Sequence, residues 1–333
     1  MATDYHVPGF DSHPDTRVVA FAERDDGRRA AVAEDLSLPG YPDVDAMLDA
    51  HDLDAVSICT PPSTHEAIFL SAVEAGCHVL CEKPLATDAP TARRMAAAAE
   101  EAGVVTQVGY LHRYYENYRR AMRLVSNTLL GELVEVTVAH HSTPPTQGWY
   151  YDPGTAGGGV VRDLFPHSLD VLIDLLGEPT VESARVDHRR DRPVEDVGRA
   201  TLDFDGVPAT VSASWTQAEG VSRVLLIGTE GWLELDPVSL DGDVHGRPFA
   251  FEHGSLPIVD IGLADLFPAS DEDPHTARVH DFADHAAAGD RDTSVPASRG
   301  VAVAEAIDAV YEAAGVPLGD DSGTDTGGRE GER

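Results

Sequence analysis

The chain has 333 residues, with 58 acidic against 24 basic side chains and a net charge of −34. That length exceeds one ordinary domain of ~150 residues and points to two, each with a sizeable core. The charge excludes nucleic acid and an anionic membrane surface as partners, since both repel a polyanion. An acidic but globular composition suits a very salty cytoplasm, where the Debye length falls to ~3 Å at 1 M salt.

In chain order, residues 17–23 (RVVAFAE) form a short apolar strand ending in an acid, followed by a helix through residues 30–36 and a second short helix over 43–51. Residues 54–59 (DAVSIC) form a buried strand that ends in Thr60-Pro61-Pro62. Ser63 and Glu66 then have the spacing of a capping box, and the helix they open stops at Gly76. Residues 78–81 (HVLC) make the next strand, Thr87 or Asp88 caps a helix to Gly103, and residues 104–109 (VVTQVG) close the series. Strand and helix alternate every 20 to 30 residues, the rhythm of βαβ units in a parallel sheet. Ligands of such sheets bind beyond the carboxyl ends of the strands. Thr60-Pro61, Glu82-Lys83-Pro84 and Gly109-Tyr110 therefore open on one crevice.

After Leu111 the pattern changes. A helix over residues 114–130 leads to strands at 133–139, 181–187, 200–204, 209–215, 223–228 and 231–235. Short strands joined by Gly, Asp and Pro turns predict a mostly antiparallel sheet, hence an α+β second domain. A late helix covers residues 298–314, and the tail from Gly319 lacks apolar residues, as a disordered segment does. The division is thus 1–111, 112–318 and 319–333. Cys59, Cys77 and Cys81 form no C-x-x-C pair and read as reduced thiols of a cytoplasmic protein. No metal site is expected, His140-His141 being placed at a strand end. No apolar run nears the ~18 residues of a membrane span.

Of the 24 basic residues only one is lysine, Lys83, inside Cys81-Glu82-Lys83-Pro84-Leu85. Arginine stays protonated above pH ~12, whereas burial and neighbours tune a lysine to give up and recover a proton. A lysine retained alone at a strand end points to proton transfer. A second constellation follows Gly157-Gly158-Gly159. Pro166 is welcome only in the first turn of a helix, so the helix is expected to start near residues 164–166, with Asp163 as its cap and His167 one turn on. Such a carboxylate would orient the imidazole and raise its pKa. Asp163 as a plain cap is the alternative.

Together these residues resemble the glucose-fructose oxidoreductase/inositol dehydrogenase (Gfo/Idh/MocA) family. The resemblance runs from Val18 to Leu318 through DAVSICTPPSTHEAI, AGCHVLCEKPLA, VGYLHRY and GGGVVRDLFPHSLD. It implies a Rossmann-type parallel sheet, a second domain with a large open sheet that builds dimers or tetramers, a cis bond before Pro84, and a sugar or polyol substrate. Carried over residue by residue, Lys83 and His167 are the acid/base residues and Asp163 positions substrate and histidine. Glu23 matches the acid that takes the adenine-ribose hydroxyls, favouring NAD over NADP, a preference that Arg24 offsets in part. Thr60, Pro61 and His65 match the loop against the cofactor, while Glu82 and Pro84 match positions by the nicotinamide. Tyr110, Arg113 and Trp149 match positions near the substrate.

One departure matters. The family opens with a strand and a Gly-x-Gly-x-x-Gly turn that holds the pyrophosphate. Here Met1 opens on what looks like the following helix. Either the start codon sits at an internal methionine, with roughly ten to fifteen residues missing, the length of a strand and its turn, or the first strand is truly lost. The first is favoured. The second would leave a non-catalytic sensor or scaffold as the alternative to an enzyme.

Overall fold

The computed structural model describes residues 1–236, 239–244, 247–252 and 272–317. The tail from Gly319 lies outside them. A π-helical turn over Ala2–His6 runs into α1 (Val7–Ser12). It is followed by β1 (Phe21–Ala22), α2 (Asp26–Leu36), β2 (Gly40–Tyr41), α3 (Val44–Ala50), β3 (Ala55–Ile58), α4 (His65–Glu74), β4 (His78–Cys81), α5 (Ala89–Ala102) and β5 (Thr106–Val108). Every pairing among these strands is parallel. Asp25, Asp43 and Asp88 cap α2, α3 and α5, each accepting the backbone N–H three residues on.

Helix α4 departs from the expected capping box. Pro62 opens a 3₁₀ turn over Pro62–Thr64, which moves the cap from Ser63 to Thr64. The Glu66 carboxylate bonds Arg94 of α5 at 2.7 Å instead of reaching back.

The five strands form two sheets, β1–β2 and β3–β4–β5. Among the described residues β1 and β3 each pair on one side only. The run expected as a strand over residues 17–23 pairs at just two positions, and Val18 to Phe21 are all partly exposed. Helix α2 buries none of its residues.

The second domain adds α6 (Glu116–Ser126), β6 (Leu133–His141), α7 (Pro153–Ala156), α8 (Val160–Leu176), β7 (Thr180–Asp187), β8 (Val197–Phe204), β9 (Val207–Ser214), β10 (Val221–Gly228), β11 (Gly231–Leu235), β12 (Ser239–Val244) and β13 (Arg247–Glu252). Its eight-stranded sheet has the order β13-β12-β11-β10-β6-β9-β8-β7. Only β6 and β9 pair in parallel. Alternate residues Ala200, Leu202 and Phe204 of β8 and Ala209, Val211 and Ala213 of β9 are buried, and α8 packs on these two strands and β6.

Two late helices return to the first domain. Helix α9 (Pro274–Ala288), which periodicity had not revealed, places Val279 and Phe282 on Leu80 of β4 and on Val105 just before β5. It also lies along α1, where Gly9 sits so close that a methyl group would stand 2.9 Å from Val279. Helix α10 (Ala297–Ala313) packs on α5, α8 and β7. The two halves are thereby tied together from both ends.

Candidate active site

The parallel register of β3, β4 and β5 brings their carboxyl ends to one edge. Glu82 donates its backbone N–H to Ile58 at 2.9 Å and Gly109 donates to Cys81 at 2.7 Å. Lys83 follows directly, with a cis bond to Pro84. Its ammonium Nζ donates to the carboxylate Oδ1 of Asp163 at 2.7 Å and to the Asp163 carbonyl at 2.9 Å. The second carboxylate oxygen accepts from Trp215 Nε1 at 3.1 Å.

Asp163 is not the helix cap. Helix α8 starts at Val160 and carries Pro166 within it, so Asp163 lies in the first turn. A neighbour remote in sequence makes this early start possible. The buried Glu195 carboxylate accepts from the backbone N–H groups of Gly159 at 3.0 Å and Val161 at 3.1 Å, and from the Tyr311 hydroxyl at 2.8 Å, while its carbonyl takes Val160 N–H at 3.0 Å. The donors left over at a helix start are thus satisfied from outside. Pro166 has no N–H for the Arg162 carbonyl and crowds it. One residue on, the Asp163 carbonyl accepts from Lys83.

The three glycines ahead of α8 have three separate neighbours. A methyl group at Gly157 would meet Thr87 at 2.8 Å, at Gly158 the Tyr311 hydroxyl at 2.2 Å, and at Gly159 the Glu195 carbonyl at 2.1 Å. Close packing, together with φ of 76° at Gly157 and 155° at Gly158, explains the run.

His167 stands one turn along α8, but Asp163 does not orient it, contrary to the sequence expectation. The carboxylate is occupied by Lys83 and Trp215, and His167 Nδ1 is buried without a hydrogen-bond partner. The ring instead stacks on His112, with centroids 4.7 Å apart and planes 23° apart, and His140 stands 5.7 Å away. Burial, then Lys83, His112 and His140, push His167 well below the ordinary histidine pKa, not above it. Burial and His140 do the same to His112, and burial takes His140 down to about 4. For Lys83, burial pulls downward, but Asp163, Tyr150 and Glu82 outweigh it and the pKa is raised. At neutral pH the site therefore pairs a charged ammonium with an uncharged imidazole.

Trp149 borders Lys83 and stacks at 3.8 Å on Tyr150 in a 3₁₀ turn. With Pro62, Pro84 and Asp163 they enclose a space of about 20 Å³, enough for one water. A larger cavity of about 340 Å³ lies between α6 and α8, away from Lys83 and His167.

Other expected contacts fall elsewhere. Arg113 faces the larger cavity, bonding buried Asp170 at 2.6 and 2.8 Å and Asp174 at 2.8 Å, so the acids of α8 hold it away from Lys83. Tyr110 is buried in the core. His65 is fully buried, and its ring nitrogens meet the carbonyls of Thr60 at 2.8 Å and Pro84 at 3.0 Å, pinning two strand-end loops together without facing the crevice. Glu82 is also turned inward. Its carboxylate pairs with Arg278 of α9 at 2.7 Å and meets His6 at 3.0 Å. Burial works against its charge, but Arg278 and His6 hold the carboxylate well below the ordinary carboxylate pKa. Gly109 leaves room for this pair, since a methyl group there would lie 2.9 Å from both partners.

The residues present fit one end of a dinucleotide. Thr60 is exposed at the strand end, and Glu23 follows β1 with its Oε1 held by the Asp25 N–H at 2.8 Å and Arg28 at 3.2 Å, leaving Oε2 for a ribose. Arg24 beside it is exposed. No Gly-x-Gly-x-x-Gly cradle occurs in the sequence. Residues that sequence reasoning had passed over are His112, inside VGYLHRY, and Tyr150, Trp215, Glu195 and Arg278, whose roles depend on contacts between distant segments.

Residues 1–110 match the family described as "Oxidoreductase family, NAD-binding Rossmann fold", and residues 118–234 match "GFO/IDH/MocA C-terminal domain". The chain belongs to the Gfo/Idh/MocA oxidoreductase family. Within that family it is 30% identical over 300 residues to D-xylose 1-dehydrogenase (NADP(+)) 2 of Haloferax volcanii, covering 89% of each chain. It is 33% identical over 196 residues to 1,5-anhydro-D-fructose reductase of Ensifer adhaerens, spanning 57% of this chain and 59% of that one. A levoglucosan dehydrogenase solved with NADH and levoglucosan shares the fold, at a TM-score of 0.82 and 21% identity over 93% of both chains. Among the described residues no helix is long and apolar enough to cross a membrane, and no group of three or more His, Cys, Asp or Glu is arranged to hold a metal.

Proposed function

We propose that this Gfo/Idh/MocA oxidoreductase is an NAD(P)-dependent dehydrogenase or reductase acting on a CH–OH carbon of a sugar or polyol, with Lys83 and His167 as its acid/base residues. The observation that carries the reading is the opposite displacement of the two groups, the ammonium held charged by Asp163 and the imidazole held neutral by burial. Paired titratable groups whose pKa values are pushed apart divide the roles of donor and acceptor. In the oxidation direction Lys83 Nζ donates a hydrogen bond to the substrate hydroxyl oxygen and stabilises the oxyanion that develops there. His167 takes the hydroxyl proton, and returns it in the reverse direction. A bound nicotinamide supplies the hydride acceptor or donor. Asp163 holds the Lys83 side chain in one position, and Trp149 offers a sugar an aromatic face.

Glu23 supports NAD over NADP by repelling a 2′-phosphate, while the NADP(+) of the Haloferax volcanii relative's name supports the opposite choice. Both cofactors therefore belong in the assay. The wide second sheet supports a homo-oligomer, and the acidic composition supports a cytoplasm rich in salt. The division at residues 111–112 is kept as the boundary between the two functional halves.

The test is turnover of D-xylose, levoglucosan, inositol and 1,5-anhydro-D-fructose with each cofactor at high salt. Lys83→Arg and His167→Ala are each expected to lower turnover by ~10²-fold or more, with reduced-nicotinamide binding unchanged. Near-normal turnover of either variant overturns the assignment.

A further inference from the structure

We propose that His112 is the positioning residue for His167: a buried, flat ring stacked on the His167 imidazole, backed by His140 and Tyr118, that fixes its plane where no carboxylate does so. The proposal rests on the reading of His167 as the proton acceptor. Catalytic histidines are commonly held by a hydrogen bond from the second ring nitrogen to a carboxylate or carbonyl. Here that bond is missing among the described residues. Asp163, the acid one turn away, is spent on Lys83 and Trp215, and His167 Nδ1 is buried without a partner.

Geometry supplies a substitute. His112 lies in a 3₁₀ turn at the end of the β5 loop, 7% exposed, and covers one face of His167 at 4.7 Å. Tyr118 of α6 lies 4.9 Å from His112, and His140 at the end of β6 lies 5.2 Å from it. Three elements of the second domain thus converge behind a ring carried by a fourth.

The column also limits access of water. Lys83, Arg278, His112 and His140 face His167; Lys83 and His140 face His112; and Asp163, Lys83 and His141 face His140. Positive neighbours outnumber the single carboxylate, so two protonated rings in contact would repel each other and the ammonium. The trio accommodates one proton at a time. A neutral His112 leaves that proton to His167.

The experiment follows the ring nitrogens of His167 by long-range proton–nitrogen NMR on the whole chain, without substrate, in the unsubstituted protein, His112→Ala and His112→Phe. Removing the ring admits water and is expected to raise the His167 midpoint by about one pH unit or more toward the ordinary value near ~6.5. Phenylalanine keeps the flat cover and leaves the midpoint low. In turnover, His112→Ala is expected to lower kcat about tenfold at unchanged KM, with most of the loss recovered in His112→Phe. An unmoved His167 midpoint in His112→Ala, or an equal rise in both variants, overturns the proposal. An inactive His167→Ala beside a fully normal His112→Ala removes only the positioning role. Near-normal turnover of His167→Ala removes the acid/base reading itself and the catalytic purpose of the stack with it.

Discussion

Replacing Arg278 with Met tests whether the contact between α9 and the strand end that carries Glu82 is an internal ion pair. Arg278 is 1% exposed and the Glu82 side chain 9%, and their charged atoms stand 2.7 Å apart. Removing one partner of such a pair leaves an uncompensated charge and costs about 3–5 kcal/mol. His6 sets which end of that range applies, because its Nε2 lies 3.0 Å from Glu82 and 2.8 Å from Arg278. In the unsubstituted protein burial is the main cause that lowers the His6 pKa, with Arg278 adding to it. Without Arg278 one cause that lowers the imidazole is gone while Glu82 still raises it, so its folded pKa rises from the depressed value. A histidine less depressed in the fold loses less stability as pH falls below ~6.5. The deficit of Arg278→Met should therefore be smaller at pH 6 than at pH 8, and about 3 kcal/mol at the lower pH. Urea unfolding followed by tryptophan fluorescence measures it. Adding Glu82→Gln should recover most of the loss, and 1 M salt should leave the deficit nearly intact because the pair is shielded from ions. A deficit under about 1 kcal/mol, or one unchanged in the Glu82→Gln background, would refute the reasoning.

Two further outcomes are expected. Burial holds His6, His65 and His112 below their ordinary pKa in the folded chain, so their contribution to stability is fully present above ~6.5 and falls as pH drops toward their folded values. Each neutral ring costs ~1.4 kcal/mol per pH unit in that window, on the order of 4 kcal/mol per unit for the three; a denaturant midpoint that stays flat from pH 7 to 5.5 would contradict this. Gly159→Ala drives a methyl group to 2.1 Å from the Glu195 carbonyl and should cost about 3 kcal/mol or more, whereas Gly154→Ala, whose nearest neighbour is 3.6 Å away, should be close to neutral by thermal denaturation.

Much of the fold was legible because its signals are local. The β4 run over His78–Cys81, the Asp88 cap of α5 and the left-handed Gly103 behind it all lie within a few residues of the feature they specify. The motifs singled out Lys83, Asp163 and His167 as candidates, and Lys83 does meet Asp163. What could not be read was which partner each charged group would choose. Arg113 had many acids within reach and took Asp170, 57 residues on; Asp163 took Lys83 in preference to His167. The start of α8 was misjudged for a related reason. Pro166 is a correct local signal for a late start, and it is overruled by Glu195, whose carboxylate caps the first turn from 34 residues away at Val161. Helix α9 escaped notice because it is held as much by paired polar groups, Arg278 on Glu82 and His13 on Asp284, as by an apolar stripe.

The return of α9 to the first sheet has a consequence for how the protein is made. Val279 and Phe282 cover Leu80 and Val105, and Arg278 neutralises Glu82, from almost 200 positions further along the chain. At a synthesis rate of ~5–20 residues per second, the ribosome takes about ten to forty seconds to deliver them. Throughout that interval the emerging amino-terminal half has an uncovered apolar patch and a carboxylate without its counterion. Chaperone attention should concentrate there, and an isolated fragment ending near Leu111 would keep both defects permanently.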